Sequence, residues 1–162
     1  MLTSTQIALQ QIGAFCAIGF AALGSTYGCG VAAASAIGAW KKCYLQGKMA
    51  PFQLSILAGV AMSQTIYGLI LMLIINGKTS DPTCWPTCLA IGLFAGILLG
   101  ISSVFQGRAA AGACDAFAET GQGFVNYLIA LGVIETIAIF VMAFAILLLG
   151  SVGVAPEVVV GG

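Results

Sequence analysis

No aspartate, glutamate, lysine or arginine occurs in residues 1 to 40, in 49 to 77 or in 83 to 107. From 120 to 156 the only formal charge is Glu135. A helix needs ~20 consecutive apolar residues to cross the hydrocarbon core of a bilayer, and each of these stretches is longer than that. The runs are separated by the chain's few charges and by turn residues. Lys41, Lys42, Gly47, Lys48 and Pro51 follow the first, Lys78, Asp81, Pro82 and Pro86 the second, and Arg108, Asp115 and Glu119 the third. The sequence therefore predicts an all-α membrane protein with four transmembrane helices, at about 8–40, 51–76, 87–117 and 123–150. The first and third are longer than a crossing needs and should project beyond the lipid.

Composition closes off the alternatives. Hydrophobic residues make up 60% of the 162 and charged residues 6%. Soluble domains carry roughly a quarter charged residues, so this chain has too little polar surface to face water. Five basic residues balance five acidic ones, which gives no electrostatic pull toward nucleic acid. Histidine is absent, and with it the commonest metal ligand and general base. The six cysteines lie mostly in apolar stretches, where they act as small hydrophobes. Cys84 and Cys88 flank Trp-Pro-Thr, which reads as a short loop. They are placed to pair if that loop faces an oxidising side. The N-terminal stretch lacks a basic n-region and reads as a retained first helix. Lys41, Lys42 and Lys48 put loop 41–50 on the cytoplasmic side. Loop 117–123 then shares that side, and both termini lie opposite.

The two halves resemble each other. GCGVAAASAIGAW at 28–40 aligns with FQGRAAAGACDAF at 105–117, and LAGVAMSQTI at 57–66 with LIALGVIETI at 128–137. The economical reading is two tandem helical hairpins, 1–81 and 82–162, pointing the same way. The alignment pairs Glu135 with Gln64, an acid in one copy with an amide in the other.

A charged acid at a membrane-helix centre costs ~2.5–3.5 kcal/mol. An interhelical hydrogen bond that merely fixed packing would return only ~0.6 kcal/mol on average, and an amide could make it. Counting residues from the cytoplasmic turn puts Gln106 and Glu135 at similar depth, roughly 20 Å away at 1.5 Å per residue. A belt near the midplane then holds Ser63, Gln64, Tyr67, Gln106 and Glu135, all bearing oxygen. A carboxyl alone in hydrocarbon takes a proton. Among neutral oxygens it can instead hold a cation. Either way the belt is a reversible site for a monovalent cation. Arg108, two residues from Gln106, either snorkels to the cytoplasmic end of its helix or borders this site.

The first and third helices are dense in small residues: Gly13, Gly19, Gly24, Gly28, Gly30, Ala32–Ala34 and Gly38 in one, Gly92, Gly96, Gly100, Gly107, Ala109–Ala111 and Gly112 in the other. Such spacing lets helix backbones touch. Two whole helices built this way suit the inner wall of a ring, with the bulkier second and fourth helices outside. One acid in four spans cannot enclose a pathway alone, so a homo-oligomer is expected.

These features together resemble the K subunit, or proteolipid, of V-type ATPases, the rotor-ring c-subunit family. The resemblance rests on the duplicated hairpin, the glycine-rich first and third helices, SQTIYG at 63–68, FQGRAAAG at 105–112 and IETIAIF at 134–140. It covers essentially the full length and is nearest to bacterial sodium-transporting members, which implies a bacterial cell membrane. The resemblance implies a homo-oligomeric ring, each copy binding one ion at Glu135. The ring would turn against a stator subunit of the a/I type bearing an essential arginine. Central-stalk subunits would couple it to ATP hydrolysis in a soluble head. The chain itself would be non-catalytic, without organic cofactor. In sodium-binding relatives the ligand positions fall on Glu135, Gln64, Ser63, Gln106 and the backbone carbonyl of Val60, and Tyr67 matches a tyrosine that hydrogen-bonds the acid. Ser63 stands where some relatives have threonine. The added oxygens of Ser63, Gln64 and Gln106 favour Na⁺, since a proton needs only the acid. A proton-translocating ring of the same family is the alternative. A small four-helix secondary antiporter is a rival from another class, but the glycine-packed helices leave little room for its cavity, and no phosphate-binding loop suggests an enzyme.

Overall fold

The structure is a computed structural model and describes residues 3–78 and 84–152. It contains helices α1 (Ser4–Leu45), α2 (Gln53–Gly59), α3 (Ser63–Gly77), α4 (Trp85–Thr120) and α5 (Phe124–Ser151), with a 3₁₀ turn (Val60–Met62) between α2 and α3. No strand occurs among the described residues. Four segments are long and apolar enough to cross a membrane: Ser4–Leu45, Gln53–Gly77, Trp85–Thr120 and Phe124–Ser151.

Local chemistry sets where these helices begin and end. Thr3 caps α1 through a reciprocal box: its Oγ1 accepts from the Gln6 amide at 3.3 Å, and Gln6 Oε1 accepts from the Thr3 N–H at 2.9 Å. The helix therefore starts four residues before the predicted boundary. With 42 residues it is roughly 63 Å long, about twice a hydrocarbon core, and α4 with 36 residues is roughly 54 Å.

The Trp-Pro-Thr expected in a loop is instead the first turn of α4. Proline suits that position because the N–H it lacks would have no helical partner there. Cys84 and Cys88 are consequently buried one helical turn apart, the Cys88 N–H donating to the Cys84 carbonyl at 2.9 Å. The two loops expected on the cytoplasmic side are shorter than predicted, 46–52 and 121–123 rather than 41–50 and 117–123. The second closes so tightly because Gly121 and Gly123 take φ of 64° and 83°, a region costly for any residue with a Cβ. The expected boundary between hairpins, at 81 and 82, lies outside the described residues.

The second predicted crossing is not one continuous α-helix. It is broken after Gly59 by the 3₁₀ turn, immediately before Ser63 and Gln64.

Helices α1 and α4 run parallel, backbone against backbone. Gly24 meets Gly100, Gly28 meets Gly107 and Gly13 meets Gly92. A Cβ on Gly13 would stand 2.6 Å from Leu89 Cα, closer than atoms can approach. Polar ties fix the register: Ser103 to Ser25, 78 positions apart, Ser35 to the Ala111 carbonyl, 76 apart, and Lys42 to Glu119, 77 apart. The aligned repeats, Gly30 with Gly107, are also 77 positions apart (107 − 30). Aligned stretches thus lie side by side at one height. The Lys42–Glu119 ion pair spans 2.6 Å at the exposed end.

Not all of the small residues serve this contact. Gly30, Gly38 and Gly112 face open space, and Gly19 meets only Phe15 of its own helix. The bulkier α5 presents Val133, Ile137, Phe140, Phe144 and Leu148 outward. Two apolar cores flank the centre. One, around Leu71, Ile75, Leu99 and Leu149, lies on one side; the other, around Leu54, Leu57, Cys114 and Leu131, lies toward the short loops.

Candidate cation site

Glu135 sits between the two cores at the seam of α3, α4 and α5. Four side chains donate to its carboxylate. Ser63 Oγ, Gln106 Nε2 and Gln64 Nε2 reach Oε2 at 2.8, 2.8 and 3.1 Å. The Tyr67 hydroxyl donates to Oε1. Such charge-assisted bonds are roughly twice as strong as neutral ones.

Each donor owes its place to a particular element. Ser63 and Gln64 open α3 just past the 3₁₀ turn. Tyr67 follows one helical turn later, so all three point toward α5. Gln106 comes from α4 and meets Glu135 across the closed loop at 121–123, as the depth count predicted. The two amides are tied to each other as well: Gln64 Nε2 donates to Gln106 Oε1 at 2.7 Å. The second N–H of Gln106 goes to the Leu131 carbonyl at 3.2 Å. Gln64 and Gln106 are buried, at 0% and 2% exposure, whereas Glu135, Ser63 and Tyr67 are half-buried. The acid therefore stands at the edge of the bundle, with amides behind it and Tyr67 beside it.

Val60 joins the group one step removed. Its carbonyl lies 3.3 Å from Ser63 Oγ, whose one proton goes to the nearer Glu135. Arg108 is exposed, and the carboxylate's hydrogen bonds come from the four neutral side chains. Repeat symmetry is visible in the details. Gln64 and Glu135, the aligned pair, bond each other directly across 71 positions. Val60 and Leu131, aligned by the same shift, each place a backbone carbonyl beside a side chain of the cluster.

Sequence reasoning missed a second polar group behind the site. Ser103 Oγ lies 2.6 Å from the Ala61 carbonyl and 3.1 Å from Ser25 Oγ, all buried. Ser103 precedes Gln106 by three residues on one helix face, a spacing that was available in ISSVFQG. Leu131 could have been found from its alignment with Val60. Among the described residues no three His, Cys, Asp or Glu side chains cluster as metal ligands, and the oxygens around Glu135 are otherwise neutral.

Residues 89–148, which hold Gln106 and Glu135, match the model of the ATP synthase C-subunit family. Over 145 residues, 89% of this chain, the sequence is 34% identical to the A-type ATP synthase subunit K of Methanocaldococcus jannaschii. The chain is thus similar to the ATP synthase C-subunit family over its second half and to an archaeal subunit K over most of its length. It spans 63% of the length of that archaeal relative. The match to this family's model and four long apolar helices together make it a multi-pass membrane protein.

Proposed function

We propose that this chain is a rotor-ring subunit, of the K or c type, in the membrane sector of an ATP-driven ion pump, and that it carries one Na⁺ at a time at Glu135. The observation that carries the reading is the carboxylate of Glu135, half-buried in an apolar bundle and ringed by four neutral donors. One negative charge matches one monovalent cation, so the loaded site is neutral.

The physical cycle follows from that charge. A loaded, neutral site can face hydrocarbon as the ring turns. An empty, charged site cannot, because desolvating an unpaired carboxylate is costly. It stays opposite a positive group, supplied by an arginine of an a/I-type stator subunit. A membrane potential is worth ~2.3 kcal/mol per charge per 100 mV, which this asymmetry converts into directed rotation, or the reverse. Central-stalk subunits and a soluble ATP-hydrolysing head complete the machine, and this chain performs no catalysis itself. Loops 46–52 and 121–123 face the cytoplasm and both termini the other side of a cell membrane.

The amides suit both states of the site. A glutamine can turn either its N–H₂ or its C=O toward a neighbour by rotating its terminal torsion. Gln64 and Gln106 thus stabilise the bare carboxylate by donation and a bound Na⁺ by their oxygens. Ser63 and the Val60 carbonyl add two more oxygens, all hard ligands suited to Na⁺. Gln64 cannot ionise, so one ion moves per four-helix subunit.

The test is carbodiimide modification of Glu135 in the purified full-length protein. Millimolar Na⁺ near neutral pH should slow labelling severalfold. Labelling indifferent to Na⁺ would assign the site to protons instead.

A further inference from the structure

We infer that Ser103 is a positioning residue for the cation site, acting through the 3₁₀ turn and not on the ion. The inference rests on the cation reading proposed above. A 3₁₀ turn inside a helix tightens bonding to i→i+3 and leaves carbonyls at the junction short of their α-helical donors. Here each junction carbonyl has a hydroxyl beside it: Ser103 lies against Ala61, and Ser63, whose proton goes to the nearer Glu135, stands 3.3 Å from Val60.

Ser103 has one hydroxyl proton and two neighbours. The Ala61 carbonyl can only accept, and it is the nearer at 2.6 Å, so the proton goes there and Ser25 donates in turn to Ser103. Ala61 and Ser103 are fully buried, so no water replaces that bond. Gly28 of α1 closes the far side. A Cβ on it would meet Ala61 Cβ at 3.1 Å and press on the Ser103 carbonyl. The turn is thus clamped between α1 and α4.

Peptide planes transmit this hold. Holding the Ala61 carbonyl fixes the peptide plane between Ala61 and Met62 and restrains, through the shared φ and ψ, the adjoining planes that carry the Val60 carbonyl and lead to Ser63. Ser63 in turn spans the 3.3 Å to Val60 and the 2.8 Å to Glu135. One face of α4 therefore delivers Gln106 to the acid and, a turn earlier, Ser103 to the opposing backbone. Coordination of Na⁺ needs oxygens held at fixed positions. Chemical reaction of the carboxyl does not.

Full-length protein carrying Ser103→Ala, Ser103→Cys (which keeps the volume) or Ser25→Ala tests this. The readouts are Na⁺ protection of Glu135 from carbodiimide and amide hydrogen exchange over residues 60–64. In both Ser103 variants half-protection should need about threefold to tenfold more Na⁺, the worth of one lost neutral hydrogen bond. The labelling rate without Na⁺ should hold within about twofold of wild type, because Ser103 does not touch the carboxyl that reacts. Exchange over 60–64 should quicken in both, and Ser25→Ala should change each readout less. Unaltered protection and exchange in Ser103→Ala would overturn the inference. So would a Na⁺-free labelling rate that falls along with protection, or a Ser25→Ala effect as large as that of Ser103→Ala, since either assigns the change to general packing. Wild-type protein unprotected by Na⁺ overturns the cation reading, and the exchange data still decide whether Ser103 holds the turn.

Discussion

At the scale of single residues, Glu135 separates function from packing. Its carboxylate accepts from Ser63, Gln64, Gln106 and Tyr67, and Glu135→Gln keeps the shape while removing the charge. This variant should assemble normally and lose ion transport below detection in reconstituted vesicles; retained transport would remove the central claim. Tyr67→Phe removes the donor to Oε1 and leaves the other three. Transport should persist, with Na⁺ protection weakened by about threefold to tenfold. The pairing of Glu135 with Gln64 was legible from the repeat alignment alone. Ser103 was not, because a serine in a membrane helix usually bonds its own backbone and only the tertiary fold brings the Ala61 carbonyl opposite it.

At the scale of elements, the α1–α4 contact and the break between α2 and α3 define the scaffold. Gly107→Val would drive a side chain into the Gly28 backbone. The cost should be at least the ~1–3 kcal/mol of overpacking, read as a lower midpoint of thermal unfolding in detergent. In the dissociated subunit Gly30→Ala should leave that midpoint unchanged or raise it by up to ~0.5–1 kcal/mol equivalent, because there Gly30 faces open space and helical alanine outperforms glycine. The sequence displayed all of these glycines alike. Their division into contact and non-contact sets follows from helix register, which side-chain identity does not encode. The 3₁₀ turn was equally hidden: SILAGVAMSQ contains no proline, and Gly59 alone does not break a helix.

At the scale of the whole molecule, four helices carry long apolar faces and an acid at the bundle's edge. The proposed ring gives that edge its neighbours, and the open glycines Gly30, Gly38 and Gly112 offer sites of close approach to other copies. Purified protein in mild detergent should migrate as one closed oligomer, seen as a ring in electron micrographs. Gly30→Phe should leave the subunit helical by circular dichroism yet reduce that oligomer. A native protein found only as a monomer would sink the rotor reading.

Charge distribution and hydrophobic run length determined the four crossings, because a bilayer tolerates no other use of such stretches. Internal repetition determined which acid would matter and which amide would face it, since duplicated hairpins place aligned residues at equal depth. Tertiary structure alone decided the rest: the 3₁₀ turn before Ser63, the Ala61 carbonyl capped from α4, and the glycines that touch. These depend on how closely two backbones approach and which carbonyl lacks a donor, quantities that exist only once the helices are packed.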